Sequence, residues 1–256
     1  MKRIFTPFEE IGKMSRIGLI VFWAVLSIFT WMTMTSGETH LFPTMGEVVQ
    51  GLKDLYAKGL VTHIFSSLSL CAKAIFIAVI VSLSFVYIST VPFFKPISVF
   101  VSKLRYLPLT GISFYITTLL EDSREIQVWI LVIFMTTFLI TSLLSTIKDI
   151  PAEDFDHARA LGYGRWAMLW EVVIKGRFDY VIEMVRQNLA IVWMMLVTVE
   201  STVAASGGLG LLIQNSDKFM NHGRIIALQI VILFLGLTLD FFLEKTRKIA
   251  FRYSKM

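Results

Sequence analysis

Charge is what this sequence is short of. Asp, Glu, Lys and Arg make up 17% of its 256 residues, against 55% hydrophobic residues and a mean hydropathy of +0.70. A soluble domain carries about 25% charged residues, so a water-facing surface could not be covered and the excess apolar residues must face lipid. Cysteine is nearly absent. Cys71 is the single one, which excludes an internal disulfide framework and a Cys-based zinc site. It lies in an apolar run and reads as a small core residue. The four histidines, His40, His63, His157 and His222, are scattered, with no Ser-His-Asp or His-x-x-x-His cluster, which argues against a membrane enzyme and against a metal site. No Gly-x-x-x-x-Gly-Lys-Ser/Thr phosphate loop occurs, so the chain has no ATP-binding motif and no cofactor of its own is expected. There is no internal repeat, low-complexity tract or sign of a second domain. No small-residue cleavage site follows the first apolar run, which reads as a retained span.

What is present is a series of apolar runs long enough to cross a bilayer, at about 20 residues each. The expectation is an all-α membrane protein, residues 1–256 forming one transmembrane domain. Its spans are expected near 17–35, 64–91, 97–120, 126–147, 179–203 and 225–243. The third is interrupted by Lys103, Arg105 and Pro108, so its lipid-buried part is expected at Tyr106 to Leu120 behind a short interfacial helix. The net charge of +5 sits in short segments between the runs, a topology signal and not a nucleic-acid patch. With the N-terminus inside, 18 of the 24 Lys and Arg residues fall in cytoplasmic segments. That bias predicts both ends in the cytoplasm. Residues 45–56 read as a short amphipathic helix lying on the outer membrane surface. Lys73 is the one basic residue inside a span, and it should face a cavity or snorkel.

Residues 148–178 form the longest polar stretch, expected inside. Pro151 suits a first helical turn, with Glu153, Asp154 and Asp156 near the positive end of the dipole. Phe155, Ala158 and Leu161 follow at spacing three and are expected to share a helix face. Gly162 and Gly164 end that helix. A second helix, Arg165 to Ile174, carries Trp166, Leu169, Trp170 and Val173 at spacings of three and four. Helix, break and helix can dock in a partner's groove; an interfacial loop helix without a partner fits the same residues.

This segment resembles the cytoplasmic loop of ATP-binding-cassette importer permeases, whose pattern is Glu-Ala-Ala, three residues, Gly, nine residues, Ile-x-Leu-Pro. Asp156-His157-Ala158, Gly162 and Val172-Val173-Ile174-Lys175 stand at the matching positions. His157 and Lys175 depart from the pattern, and the missing proline bears on the exit into the fifth span. Leu41-Phe42-Pro43-Thr44, His63 with Ser67-Leu68, and Leu104 to Leu109 are similar in order to the nitrate, sulfonate and taurine branch. So is Glu200 followed by Ala205-Ser206-Gly207-Gly208-Leu209-Gly210. Leu70 stands where that branch has an Arg.

The resemblance implies a bacterial inner-membrane permease whose substrate is a small anion or small organic solute of the nitrate, sulfonate or taurine kind. It implies a second permease copy as homodimer partner, an ATPase subunit dimer that binds ATP-Mg, an external solute-binding protein and surrounding lipid. Coupling to the ATPase would fall to Phe155, Asp156, Ala158, Arg159, Leu161, Gly162 and Arg165 within 153–175, with Gly162 turning the chain. Ser113, Tyr115, Thr117, Glu200 and Ser201 would line the pathway or gate, though Glu200 equally suits a cap on the glycine loop. An ion-coupled carrier is the main rival. It would place acidic residues near the midplane and show inverted repeats, whereas Glu200 and Asp240 lie near span ends.

Overall fold

A computed structural model describes residues 12–35, 42–203, 205 and 207–251. Leu41, His40, Ser206 and the outermost basic residues of both termini lie outside these. The described chain is helical: α1 Lys13–Met34, α2 Met45–Ala57, α3 Leu60–Ile88, α4 Lys95–Lys103, α5 Leu109–Leu119, α6 Ser123–Lys148, α7 Ala152–Ala160, α8 Arg165–Met168, α9 Phe178–Thr202, α10 Leu209–Lys218 and α11 His222–Ala250. A 3₁₀ turn, Leu104–Tyr106, follows α4, and a π-helical stretch, Leu169–Lys175, continues α8.

Among the described residues five helices are long and apolar enough to cross a membrane: α1, α3, α6, α9 and α11. Residues 97–120 are divided where Lys103, Arg105 and Pro108 were expected to interrupt them, into α4, the 3₁₀ turn and α5. Pro108 lacks the N–H that would continue the helix and holds Leu107 extended, at ψ 136°. The 11-residue α5 that follows is about 16 Å long, roughly half of a 30 Å hydrocarbon core.

The core gathers around α6, whose Ile130, Leu131, Met135, Leu139 and Ile140 are buried. α3 lies against it with Ala74 and Ala78 fully buried, and small side chains let helices approach closely. The two helices run parallel. Arg124 at the start of α6 donates to Ser66 near the start of α3, 2.6 Å, and further along Ser82 Oγ donates to the Thr136 carbonyl, 3.4 Å. The intervening segment returns: Ser98 Oγ bonds the Phe85 carbonyl at 2.9 Å and Thr141 Oγ1 the Ser102 carbonyl at 3.4 Å, which hold α4 at the far ends of α3 and α6, and α5 ends at Leu119, just ahead of Ser123 where α6 begins. α9 is antiparallel to α6, with Asn188 on Ser142 at 3.1 Å, and α11 is antiparallel to α9.

α2 was expected on the membrane surface. It is helical as expected, begun by a capping box between Thr44 and Glu47; Val48, Gly51 and Leu55 pack on protein, while Met45, Val49, Leu52 and Tyr56 form an exposed apolar stripe. It crosses the first turn of α11 so closely that a Cβ on Gly51 would lie 2.9 Å from the Arg224 nitrogen, and one on Gly223 2.7 Å from the Glu47 carbonyl. Arg224 and Asp54 pair there at 2.7 Å. α1 is exposed along nearly its whole length, and Trp31 Nε1 donates to the Pro43 carbonyl at 3.2 Å.

Candidate functional site

Two places concentrate the polar residues that the sequence singled out. The first is the end of the bundle where α9 stops. Glu200 is fully buried there. The Ser67 hydroxyl lies 2.7 and 2.8 Å from its two carboxylate oxygens, and the Gly210 N–H donates to Oε2 at 3.0 Å. Ser67 Oγ also accepts the Leu209 N–H at 2.9 Å. A carboxylate and a hydroxyl thus satisfy N–H groups that the first turn of α10 leaves without helical partners, where the helix dipole favours negative charge. Arg124 sits 3.9 Å from Glu200 and donates to Gln127 at 2.9 Å; Gln127 in turn donates to the Val203 carbonyl at 2.7 Å. His63 Nδ1 accepts the Gly208 N–H at 3.1 Å.

Glycine is what lets the loop settle on Glu200. Gly208 has φ +135°, and a Cβ there would lie 2.5 Å from Glu200 Oε1. A Cβ on Gly210 would collide with the Val197 carbonyl and lie 2.7 Å from Glu200 Cβ. In this conformation Glu200 caps the glycine loop. The arrangement is a latch joining α3, α6, α9 and α10. Among the described residues no group of three His, Cys, Asp or Glu could hold a metal.

The second place is the loop after α6. Gly162 turns the chain there at φ +78°. Ala158 is buried (5% exposed), Phe155 is half-buried, and Asp156, Arg159, Leu161 and Arg165 are exposed. The three apolar residues at spacing three do not stay on one face, because each step of three turns back by about 60° on a 3.6-residue helix. Ala158 turns inward and Leu161 (72% exposed) outward. Leu161 stands with Trp166 (74%) and Trp170 (54%) as exposed apolar side chains. Asp156 and Arg159 form a local ion pair at 2.8 Å, and Arg177 fastens the far side of the loop to Asp154 at 3.0 Å. The second helix was expected as α throughout. It widens to π after Met168, with the Gly176 N–H reaching the Glu171 carbonyl at 3.0 Å. Close approach explains the glycine: a Cβ at 176 would lie 2.5 Å from the Val172 carbonyl.

The remaining candidates lie apart. On α5, Ser113 and Thr117 share one side and Tyr115, two residues from each, points about 160–200° away. Alternation makes a stripe on a strand, not on a helix. Ser113 and Thr117 bond their own helix, to the Thr110 and Phe114 carbonyls at 2.9 and 2.8 Å. Ser201 is half-buried beside Glu200 and bonds the Thr198 carbonyl at 2.8 Å. A cleft of about 730 Å³ opens between α9 and α11, with Trp193, Gly236 and Asp240 in its walls. Sequence reasoning passed over Ser67, Arg124, Gln127 and His63 as members of the Glu200 latch; the chain separations leave no local spacing that would join them. It also passed over a network at the other end of α9. There Glu183 meets Arg186 at 2.7 Å and Arg247 at 2.8 Å, and Arg186 meets Asp240 at 2.8 Å.

Comparison with known proteins bears on both places. The family model described as "Binding-protein-dependent transport system inner membrane component" matches residues 45–245. Over 142 residues, 55% of this chain, the sequence is 30% identical to a taurine transport system permease protein of Escherichia coli (strain K12), covering 48% of that protein. Over 113 residues, 43% of this chain, it is 29% identical to a putative ABC transporter permease protein of Methanocaldococcus jannaschii, covering 42% of it. The chain spans about half the length of the curated relatives it matches.

Proposed function

The chain belongs to the binding-protein-dependent transport system inner membrane components, and from that membership we propose that it is the solute-conducting subunit of an ATP-driven importer. In this reading residues 1–256 form one multi-pass domain, an external binding protein delivers the solute, and two copies of the chain enclose the path. A separate ATPase dimer binds ATP-Mg, so the subunit itself is not an enzyme. The solute is a small anion or small organic molecule that carries an oxyanion such as a sulfonate, a reading supported by the taurine permease among the relatives.

Helix order supports a reading with six crossings. α3 and α6 run parallel, so the chain between them must return across the bundle. α4, the 3₁₀ turn and α5 make that return, a broken crossing in place of a continuous one. Broken helices at membrane depth are tolerated where protein covers them. With α1 counted, this reading has both termini on one side. The bias of basic residues supports the cytoplasm as that side.

The observation that carries the coupling role is the exposed apolar corner at Gly162. Leu161, Trp166 and Trp170 stand out at the cytoplasmic end of the bundle, beside the charged Asp156, Arg159 and Arg165. Phe155, Asp156, Arg159, Leu161, Gly162 and Arg165 make the contact surface for the ATPase. Ala158, although at a family position, serves within the loop by seating α7 on α8. ATPase closure would then push this corner as a rigid body and switch the spans between inward- and outward-open arrangements. Glu200, Ser201, Ser113 and Thr117 flank the path at its outer half, Glu200 as latch of the outer loop, and Tyr115 faces away from them. The test is co-purification with the candidate ATPase. The chain with Leu161→Asp and Gly162→Pro should lose the partner while staying folded in detergent. Undiminished association would remove the coupling role.

A further inference from the structure

α3 carries one face that its packing does not explain. The helix has no Asp or Glu. Its buried side uses Ser67, Leu70, Cys71, Ala74, Ala78, Ser82 and Val86. On the opposite side Thr62, Ser66, Ser69 and Lys73 follow at i, i+4, i+7 and i+11, one line along a helix. Thr62, Ser69 and Lys73 are exposed, and none of their side chains has a hydrogen-bond or ion-pair partner among the described residues. Ser66 is half-buried and receives Arg124 at 2.6 Å.

Depth decides what Lys73 can face. It lies about 20 Å from the Leu60 end of α3 and about 22 Å from the Ile88 end, near the middle of the crossing. With the helix centred, about 13 Å of hydrocarbon separates its backbone from the nearer interface. A four-carbon stem is too short to snorkel that far. Intramembrane lysines face protein or water-filled cavities for this reason. Two cations, Lys73 in mid-membrane and Arg124 two turns above it, share this face with three hydroxyl groups. Ammonium and hydroxyl donors one turn apart suit an oxyanion.

We propose that this face of α3 lines the solute path and that Lys73, with Ser69, is a mid-membrane binding site for the anionic group of the solute, a sulfonate or similar oxyanion. The inference rests on the permease reading and adds a site to it. The test uses the full chain in permeabilised membranes, with and without ATP, carrying Cys71→Ala and Ser69→Cys. The probes are two water-soluble methanethiosulfonates of similar size, one bearing a sulfonate and one a trimethylammonium. Residue 69 should react with both. The sulfonate should react faster, and the ratio of the two rates should fall about tenfold on adding Lys73→Gln but not Lys73→Arg. Taurine should slow the reaction only where residue 73 is basic. No reaction with either probe in either state would overturn the lining, and a ratio indifferent to residue 73 would overturn the site. Neither result touches the ATPase co-purification, which tests the permease reading by itself.

Discussion

At the scale of single residues the glycines of the outer loop set the sharpest expectations. A methyl group at Gly210 meets backbone on one side and Glu200 on the other, with no flexible side chain to give way. Gly210→Ala should therefore destabilise the folded protein by about 1–3 kcal/mol, read as a lower melting temperature in detergent. Gly111→Ala, where nothing lies within 4 Å, should leave it unchanged, and equal melting of the two would show the loop to be looser than described. Ser67 and Glu200 should behave as one unit. Ser67→Ala leaves a carboxylate oxygen and the Leu209 N–H short of a partner, so a double-mutant cycle with Glu200→Gln should give a coupling of about 0.5–3 kcal/mol. An additive pair would contradict the shared hydrogen bond. Glu200 was legible in the sequence as a residue of interest, because a carboxylate ahead of a glycine loop has few uses. Its partner stands 133 positions away, and hydroxyls in apolar helices are too common for one to stand out.

At the scale of elements, α9 and α11 are held by charge as well as by apolar contact. Glu183 and Arg247 are nearly enclosed, their side chains 9% and 11% exposed. Removing Glu183 takes a carboxylate from Arg186 and Arg247 together at a nearly enclosed site, and breaking a buried ion pair costs up to about 3–5 kcal/mol. Glu183→Gln should therefore lower the melting temperature sharply, and Glu183→Gln with Arg247→Gln should recover part of the loss. A single variant that melts like the parent would show water reaching the network. Hydropathy made α1, α3, α6, α9 and α11 readable, because their length and apolarity are set by the bilayer and not by their neighbours. α10 was not readable: ten residues, six of them polar or small, owe their helix to the Glu200 cap. Nor was the π-helical stretch, since an extra residue in a turn shifts a pattern without erasing it. The break at Pro108 was visible, but not that the pieces on either side are both too short to cross alone.

At the scale of the whole molecule the claim most open to test is the broken return between α3 and α6. In a Cys71→Ala background, Glu121→Cys should react with a membrane-impermeant maleimide in intact cells. Phe93→Cys should react only after permeabilisation. Labelling of both from the same side would reduce the crossings to five and move one terminus across the membrane. The return also bears on how the protein is made. Segments enter a bilayer by their own apolarity when they are long enough to fill it, and α4 and α5 are not. In the six-crossing reading α3 would leave the insertion machinery facing the cytoplasm with no competent successor, and the return would wait until α6 emerges to supply the surface on which Ser102 and Ile116 rest. Synthesis halted before α6 should yield a chain anchored by two helices, its proline-broken piece still outside the bilayer and open to proteases.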